Sequence, residues 1–211
     1  MFRDRADAGR QLAERLMPLR PEIPVVLGLP RGGVPVAYEV ARALRAQLDV
    51  IVVRKLGVPG QPELAMGALG EGGVVVVNEL VVVDANVSDA AFRQVQETEQ
   101  RELEGRAKNH SRTPLNGRTA VVVDDGIATG STARAACQVV RASGAHRVVL
   151  AAPVASPDSV NALKDVADEV VCVATPAHFT AVGQWYDDFA AVTDEEVAAL
   201  LEAARWRSVT G

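Results

Sequence analysis

The segment of residues 120–132, AVVVDDGIATGST, constrains the fold of this chain more than any other stretch. Its apolar first residues predict a buried parallel strand that ends in two adjacent carboxylates, Asp124 and Asp125, here called the acidic doublet. The small and hydroxyl-bearing residues that follow open a helix, whose first backbone N–H groups form an anion site. Because parallel strands end at the ligand-binding edge of a sheet, we expect the doublet to accept hydrogen bonds from two neighbouring hydroxyls. Residues 129–132 would wrap a phosphate.

The bulk properties of the chain place it among single-domain α/β proteins. Its 211 residues, 48% of them hydrophobic, suffice for one domain with a sizeable core. The net charge of −5 argues against nucleic acid and against an anionic membrane surface as partners. No apolar run approaches the roughly 20 residues of a membrane span, and the charged N-terminus, MFRDR, lacks the apolar core of a signal peptide. We therefore expect a cytoplasmic protein with small-molecule partners.

Apolar runs alternate with helical patterns and predict a single Rossmann-like α/β domain over residues 1–211. The expected architecture is a mainly parallel five-stranded sheet with flanking helices, built from a core of about residues 22–56 and 118–176. A small hood would come from both chain ends, residues 1–20 and 177–211. The expected strands are residues 24–29, 49–54, 119–124, 148–154 and 170–174.

An insertion of about residues 57–117 interrupts this pattern. Residues 57–73 hold six glycines and two prolines, which predicts a flexible loop that contains one short strand. Residues 74–83 are rich in valine and predict a two-stranded hairpin. A long polar helix is then expected from Ser88 to about Lys108.

The segment of residues 120–132 resembles the phosphoribosyl-pyrophosphate (PRPP) loop of the type I phosphoribosyltransferases. The resemblance implies that Asp124 and Asp125 hold the ribose 2- and 3-hydroxyls of PRPP, one of them through metal-bound water. It also implies that Mg²⁺ arrives with PRPP and binds mainly its oxygens and water. Residues 124–132 are called the signature turn below. The residues of this turn to which the resemblance assigns the 5-phosphate are Ala128, Thr129, Gly130, Ser131 and Thr132.

Residues 29–33, LPRGG, predict a second anion loop, because they follow the first expected strand and open its helix. Gly32 and Gly33 would let backbone N–H groups approach an anion closely, and Arg31 would add a guanidinium group. The position matches the pyrophosphate loop of the family. The alternative is a tight strand–helix turn with a solvated arginine.

Arg54 and Lys55 close the second expected strand at the same edge of the sheet. Since side chains alternate along a strand, only one of the two would face the site. The resemblance favours pyrophosphate binding by at least one of them, and the alternative is a pair of solvated charges. The expected catalytic residues are accordingly Asp124, Asp125, Arg31 and Lys55.

Residues 176–189 predict the acceptor side of the site, because they concentrate aromatic residues beyond the last strand. Phe179, Trp185 or Tyr186 would stack on a planar acceptor, unless these rings only fix the hood to the core. Asp187 lies in a V-G-x-x-x-D spacing similar to that of the 6-oxopurine enzymes. This similarity implies a contact of Asp187 with metal or pyrophosphate.

These features together predict Mg²⁺-dependent transfer of the phosphoribosyl group from PRPP to a nitrogen nucleophile, with release of pyrophosphate. The nucleophile would be a nucleobase or a related heterocycle, although Ala128 replaces the acid that the 6-oxopurine enzymes carry at this position. Two alternatives remain open: a PRPP- or nucleotide-sensing regulatory protein without catalysis, and a nucleotide phosphorolase or hydrolase on the same fold. The expected partners are PRPP and a small acceptor, and the sequence leaves a homodimer open.

Overall fold

The structure is a computed structural model that describes residues 1–106 and 113–209 of the chain. Five strands form a central sheet in the order β2-β1-β6-β7-β8, and every neighbouring pair in it is parallel. The expected α/β fold with a parallel five-stranded sheet is therefore confirmed. The strands, in chain order, are β1 (Val25–Gly28), β2 (Gln47–Val50), β3 (Val53–Val58), β4 (Gln61–Gly70), β5 (Val74–Val77), β6 (Thr119–Val123), β7 (Arg147–Val154) and β8 (Glu169–Ala174).

Helices cover both faces of the central sheet. The first, second and last helices pack on one face, whereas the fifth and sixth lie on the other. Apolar residues recur at helical spacing in the second and fifth helices, so each buries one stripe against the sheet. The helices are α1 (Arg5–Leu16), α2 (Gly33–Leu44), α3 (Glu79–Asp84), α4 (Asp89–Arg106), α5 (Ser131–Ala142), α6 (Pro157–Ala162) and α7 (Asp194–Val209).

The strand order changes direction at β1, which has β2 on one side and β6 on the other. In open parallel sheets, ligands bind beyond the carboxyl ends of the strands at such a switch point. The ends of β1 and β6 are in register, with Gly28 beside Val123. The fold therefore brings residues 29–33 and the signature turn next to each other.

The short strand expected within residues 57–73 lies in β4, but the expectation that the rest of this segment is a flexible loop is wrong. The strands β3, β4 and β5 form an antiparallel three-stranded sheet that packs against α5. A Cβ at Gly67 would collide with the backbone of Val76, and one at Gly70 would collide with the side chain of Val139. These glycines serve close packing, and glycine content alone does not distinguish that use from flexibility.

The expected hairpin over residues 74–83 is also wrong, because its second half is the helix α3. The side chain of Asn78 caps this helix by accepting from the N–H group of Val81. Val81 and Val82 then pack against the apolar residues between the small sheet and α4. Burial in this cluster outweighs the strand preference of a valine run.

The second expected strand, residues 49–54, is divided between the two sheets. β2 ends at Val50 in the central sheet, and β3 begins at Val53 in the small sheet. The chain changes sheets between these strands, so Arg54 and Lys55 lie inside β3 and not at the end of a central strand.

The fourth helix lies in the residues expected to form the insertion. α4 begins after Ser88, whose hydroxyl accepts from the N–H group of Ala91, and its expected end at about Lys108 lies outside the described residues. Phe2, near the N-terminus, forms a parallel bridge with Tyr186, which lies in the second segment expected to form the hood. Within residues 1–106 and 113–209, no helix is long and apolar enough to cross a bilayer.

Candidate active site

The hydroxyl-bearing end of the signature turn leads directly into α5. Gly130 adopts φ of +75°, a left-handed conformation that favours glycine, and it occupies the N-cap without a side-chain hydrogen bond to the helix. The first N–H groups of α5 therefore keep their capacity to bind an anion. The hydroxyl oxygens of Thr129 and Ser131 lie 3.4 Å apart at this helix end. Backbone amides and hydroxyls together can hold a phosphate here.

A small cleft with a volume of about 90 Å³ opens beside the start of α5. Arg134 is paired with Asp165 through contacts of 2.7 and 2.9 Å, so its charge is already compensated. Lys55 pairs at 3.1 Å with Glu63, whose side chain is 93% exposed, and such an exposed pair is weak. Lys55 is therefore the cation that can turn toward an anion in the cleft. The polar side chains lining the cleft are Lys55, Thr129, Ser131, Arg134 and Gln138.

The acidic doublet lies at the other end of the signature turn, directly after β6. The backbone N–H group of Asp125 donates to Oδ1 of Asp124 at 2.9 Å. Burial, reinforced by the negative charge of Asp125, raises the pKa of Asp124 to about 7. Burial also raises the pKa of Asp125, although the guanidinium of Arg5 opposes that shift. A carboxyl group that changes charge near neutral pH is typical of a functional site.

Arg5, at the start of α1, belongs to this site and was missed by sequence reasoning. Its Nε donates to Oδ2 of Asp125 at 2.9 Å, and its Nη1 donates to the carbonyl oxygen of Ala190 at 2.7 Å. The guanidinium also lies 4.0 Å from the centre of the Phe189 ring. The hydroxyl of Tyr186 donates to the backbone carbonyl of Asp125 at 2.6 Å. Arg5 and Asp125 are 120 residues apart, and no local pattern in the sequence signals their pairing.

The loop that follows β1 packs directly on the signature turn. It contains a cis peptide bond between Pro30 and Arg31. A Cβ at Gly32 would collide with the carboxylate of Asp125, and one at Gly33 would collide with the backbone at the end of β6. The two glycines therefore allow the loops to touch, a structural role that their local sequence pattern does not predict.

The three expected cations occupy different places. Arg31 is half exposed and lies 3.8 Å from the exposed carboxylate of Asp194, so its charge remains available at the edge of the site. Arg54 turns away from the cleft and pairs with Glu102 of α4. Lys55 faces the cleft beside the start of α5. Because successive side chains of a strand point to opposite faces, Arg54 and Lys55 of β3 have different surroundings.

The aromatic residues expected to bind an acceptor pack largely on the protein itself. Tyr186 is buried, with its ring centre 5.4 Å from that of Phe2 and 5.0 Å from that of Phe189. Burial raises the pKa of its hydroxyl. Phe179 and Trp185 are partly buried in the same cluster. These contacts match the alternative in which the aromatic residues fix the hood to the core.

The expected metal ligands are the acidic doublet and Asp187. Asp187 is exposed, and its backbone N–H group donates to the carbonyl oxygen of Phe2 at 2.8 Å. In the part of the chain that the structure describes, no three His, Cys, Asp or Glu side chains gather as metal ligands. The doublet offers the hard oxygen donors that Mg²⁺ prefers, but too few to hold the ion alone. These residues fit a metal ion that arrives with most of its ligands already bound.

Three comparisons with known proteins show what this chain is similar to. The family model described as "Phosphoribosyl transferase domain" matches residues 4–189. The protein named "Putative phosphoribosyl transferase Rv0571c", from Mycobacterium tuberculosis H37Rv, is 58% identical over 208 residues, which are 97% of this chain and 47% of that protein. The chain thus spans about half the length of this curated relative. The crystal structure of TT1426 from Thermus thermophilus is 48% identical, with a TM-score of 0.85 over 95% of this chain and 97% of that one.

Proposed function

Because the chain belongs to the phosphoribosyl transferase family, we propose that it binds PRPP at the switch point and transfers the phosphoribosyl group to a nitrogen nucleophile. The nucleophile would be a nucleobase or a related heterocycle. One observation carries the proposal: a single turn joins an acidic doublet to an uncapped helix N-terminus, beside a second glycine-bearing loop. These groups suit the hydroxyls, the 5-phosphate and the pyrophosphate of PRPP respectively.

The 5-phosphate would bind at the start of α5. Backbone N–H groups at this helix end and the hydroxyls of Thr129 and Ser131 supply neutral donors, while Lys55 supplies a positive charge from β3. We assign Lys55 to this phosphate, and not to the pyrophosphate as the sequence suggested, because it lines the same cleft as the signature turn. Ala128, Gly130 and Thr132 would contribute through the backbone conformation of the turn.

The ribose would lie against the acidic doublet. A ribose hydroxyl donates a hydrogen bond, and an ionised carboxylate is the strongest acceptor that the turn offers. Asp124 suits this role because the salt bridge to Arg5 is made by Asp125. Holding the sugar at both ends would fix its C1 atom in one position, which lowers the entropic part of the barrier.

The pyrophosphate would lie at the loop of residues 29–33. In the transfer, the bond between C1 and the pyrophosphate oxygen breaks, and pyrophosphate leaves with the bonding electrons while positive charge develops on the sugar. The exposed guanidinium of Arg31 and the N–H group of Gly32 would stabilise this leaving group, whereas the N–H group of Gly33 already donates to the carbonyl oxygen of Leu29. Mg²⁺, when bound with PRPP, would neutralise further negative charge on the leaving group. The nitrogen nucleophile would then form the new bond to C1, and its N–H proton would leave to solvent.

Calorimetric titration with PRPP and Mg²⁺, followed by pyrophosphate release across a panel of nucleobases and other nitrogen heterocycles, tests the proposal. We expect micromolar binding and release of pyrophosphate with at least one acceptor. PRPP binding without release for any acceptor would instead indicate a sensor. Release of ribose 5-phosphate without an acceptor would indicate a hydrolase, and absence of PRPP binding would refute the proposal.

A further inference from the structure

We propose that the cleft beside α5 takes a second phosphate group, so that the site binds a ribose with a diphosphate on its 5-oxygen more tightly than one with a single phosphate there. Nucleoside 5-diphosphates are the class of ligand that fits. The inference rests on the proposed function, because the 5-phosphate at the start of α5 fixes where the second phosphate begins. A ligand bound in this way would compete with PRPP and thereby inhibit the transfer.

The cleft continues past the place assigned to the 5-phosphate. Thr129 and Ser131 line its beginning, whereas Gln138 lines it two turns further along α5. Gln138 lies about 10 Å from Ser131 along the helix axis, because each residue of a helix rises about 1.5 Å. The free N–H groups of α5 lie only in its first turn. A single phosphate bound to these N–H groups would therefore leave the far part of the cleft unfilled.

The cleft is large enough for a further polar group. Its volume is about 90 Å³, whereas a cavity of roughly 10–15 Å³ is enough for one water molecule. Small residues form part of its walls, namely Ala65 and Gly67 of β4 and Ala162 at the end of α6. Their short side chains leave the space beside α5 open.

Two polar side chains of the cleft are available to a ligand. Lys55 pairs with the exposed carboxylate of Glu63, which is a weak contact. Gln138 is half-buried, and its side-chain amide makes no hydrogen bond to any residue that the structure describes. The ammonium group carries three donors and the amide group carries two. Because Lys55 reaches the cleft from β3, its ammonium can contact the 5-phosphate and a second phosphate together.

The charges around the cleft favour an anion in it. Arg134 is held at the wall by Asp165 and by the carbonyl oxygen of Ala162, so it shapes the cleft more than it binds a ligand. Asp165 itself does not line the cleft, and its side chain is 63% exposed. No Asp or Glu occurs among the described residues that line the cleft. A second phosphate would therefore meet donors there without a facing carboxylate.

Calorimetric titration without Mg²⁺ tests the inference with three pairs of nucleotides: AMP and ADP, GMP and GDP, UMP and UDP. In every pair that binds, we expect the diphosphate to bind at least about fivefold more tightly, because it gains one charge-assisted hydrogen bond or more. Equal or tighter binding of the monophosphates overturns the inference. Failure of all three diphosphates to bind also overturns it.

Two variants locate the second phosphate. Ala162→Leu should fill the cleft and reduce the preference for the diphosphate to less than about twofold, and the exposed position of Ala162 allows the fold to be retained. Gln138→Leu keeps the size of the side chain and should weaken diphosphate binding about threefold while monophosphate binding stays unchanged. A full preference in both variants would place the second phosphate elsewhere and overturn the inference.

Gln94→Leu is the matched control, because Gln94 is an exposed glutamine of α4 outside the cleft. Its nucleotide affinities should equal those of the wild type. Titration of the wild type with PRPP and Mg²⁺ separates the two proposals. PRPP binding without any preference for diphosphates refutes this inference alone. If PRPP does not bind, the proposed function fails, whereas the nucleotide titrations still decide whether the cleft takes a second phosphate.

Discussion

The two ends of the signature turn differ in how much of their binding capacity the protein itself consumes. At the acidic end, Asp125 is held by Arg5 and Tyr186 and is packed against Gly32. At the hydroxyl end, the N-terminus of α5 has no side-chain cap, and Thr129 is exposed beside an open cleft. One end is therefore assembled by tertiary contacts, whereas the other is left open for a ligand.

The difference shows that a sequence motif can be divided between structure and binding. Adjacent carboxylates repel each other, and a partner such as Arg5 stabilises the pair by neutralising one of them. Uncapped helix N–H groups, in contrast, are satisfied by water until an anion arrives. We expect substitutions at the acidic end to change stability and binding together, and those at the hydroxyl end to change binding alone.

The largest expected effect comes from Gly32→Ala, because Gly32 packs against the acidic end of the signature turn. The added Cβ would collide with the carboxylate of Asp125, so the variant should lose about 3 kcal/mol of unfolding free energy. Chemical denaturation measures this loss. In an Asp125→Ala background the same change should cost far less, because the colliding atoms are gone. An equal cost in both backgrounds would show that the loops do not meet through these residues.

The next largest expected effect is a loss of PRPP affinity that distinguishes two neighbouring basic residues of β3, Lys55 and Arg54. Lys55→Met should weaken phosphate and PRPP binding by about 2 kcal/mol, roughly thirtyfold, because a charge-assisted hydrogen bond is lost. Arg54→Met is the matched control, since Arg54 faces α4 and pairs with Glu102. It should lower stability while leaving the affinity for PRPP unchanged. A reversed pattern would place Arg54, and not Lys55, at the phosphate.

The raised pKa of Asp124 predicts that the free energy of unfolding and the affinity for PRPP change in opposite directions with pH. Its pKa rises from 3.8 to about 7 in the folded chain, so the folded state binds this proton more tightly than the unfolded state does. The resulting contribution to the free energy of unfolding is fully present at pH values below the ordinary pKa of 3.8. It is lost as the pH rises through the folded-state pKa of about 7. PRPP should need the ionised carboxylate, so its affinity should rise up to about tenfold between about pH 6 and about pH 8.

The variant Asp124→Asn serves as the control for both trends. It should flatten the fall of unfolding free energy with pH, measured by denaturation at each pH. It should also leave only the pH dependence that comes from ionisation of PRPP itself, measured by calorimetry. Identical profiles for the variant and the wild type would remove Asp124 as the group that titrates near neutrality.

The smallest expected effect lies at the open end of the turn. Thr129→Val removes one hydroxyl and should weaken PRPP binding by about 1 kcal/mol, roughly fivefold, with the melting temperature unchanged. Thr193→Val is a useful contrast, because Thr193 caps α7 in a reciprocal pair with Glu196 and does not belong to the turn. It should lower stability by about 1 kcal/mol without affecting binding. A fall in melting temperature for Thr129→Val would indicate that the hydroxyl end is structural as well.

The sequence predicted the central sheet well, because buried parallel strands and amphipathic helices leave patterns that need no tertiary context. It failed over residues 57–83, where the same residue types have two uses. Glycine at position 67 fills a tight contact in a sheet and does not loosen a loop. Valine at position 81 joins a capped helix and not a hairpin strand, because it packs on a cluster formed by distant residues.

By itself, the sequence determined which groups the site has: the acidic doublet, the hydroxyl-bearing turn and the glycine-bearing loop are continuous stretches whose local geometry follows from their own residues. Only the tertiary structure decided how those groups are used. It brought Arg5 onto Asp125, turned Lys55 toward the cleft and Arg54 away from it, and stacked Tyr186 on the hood. The physical reason is that salt bridges and packing depend on distances across the fold, which strand order and sheet membership set.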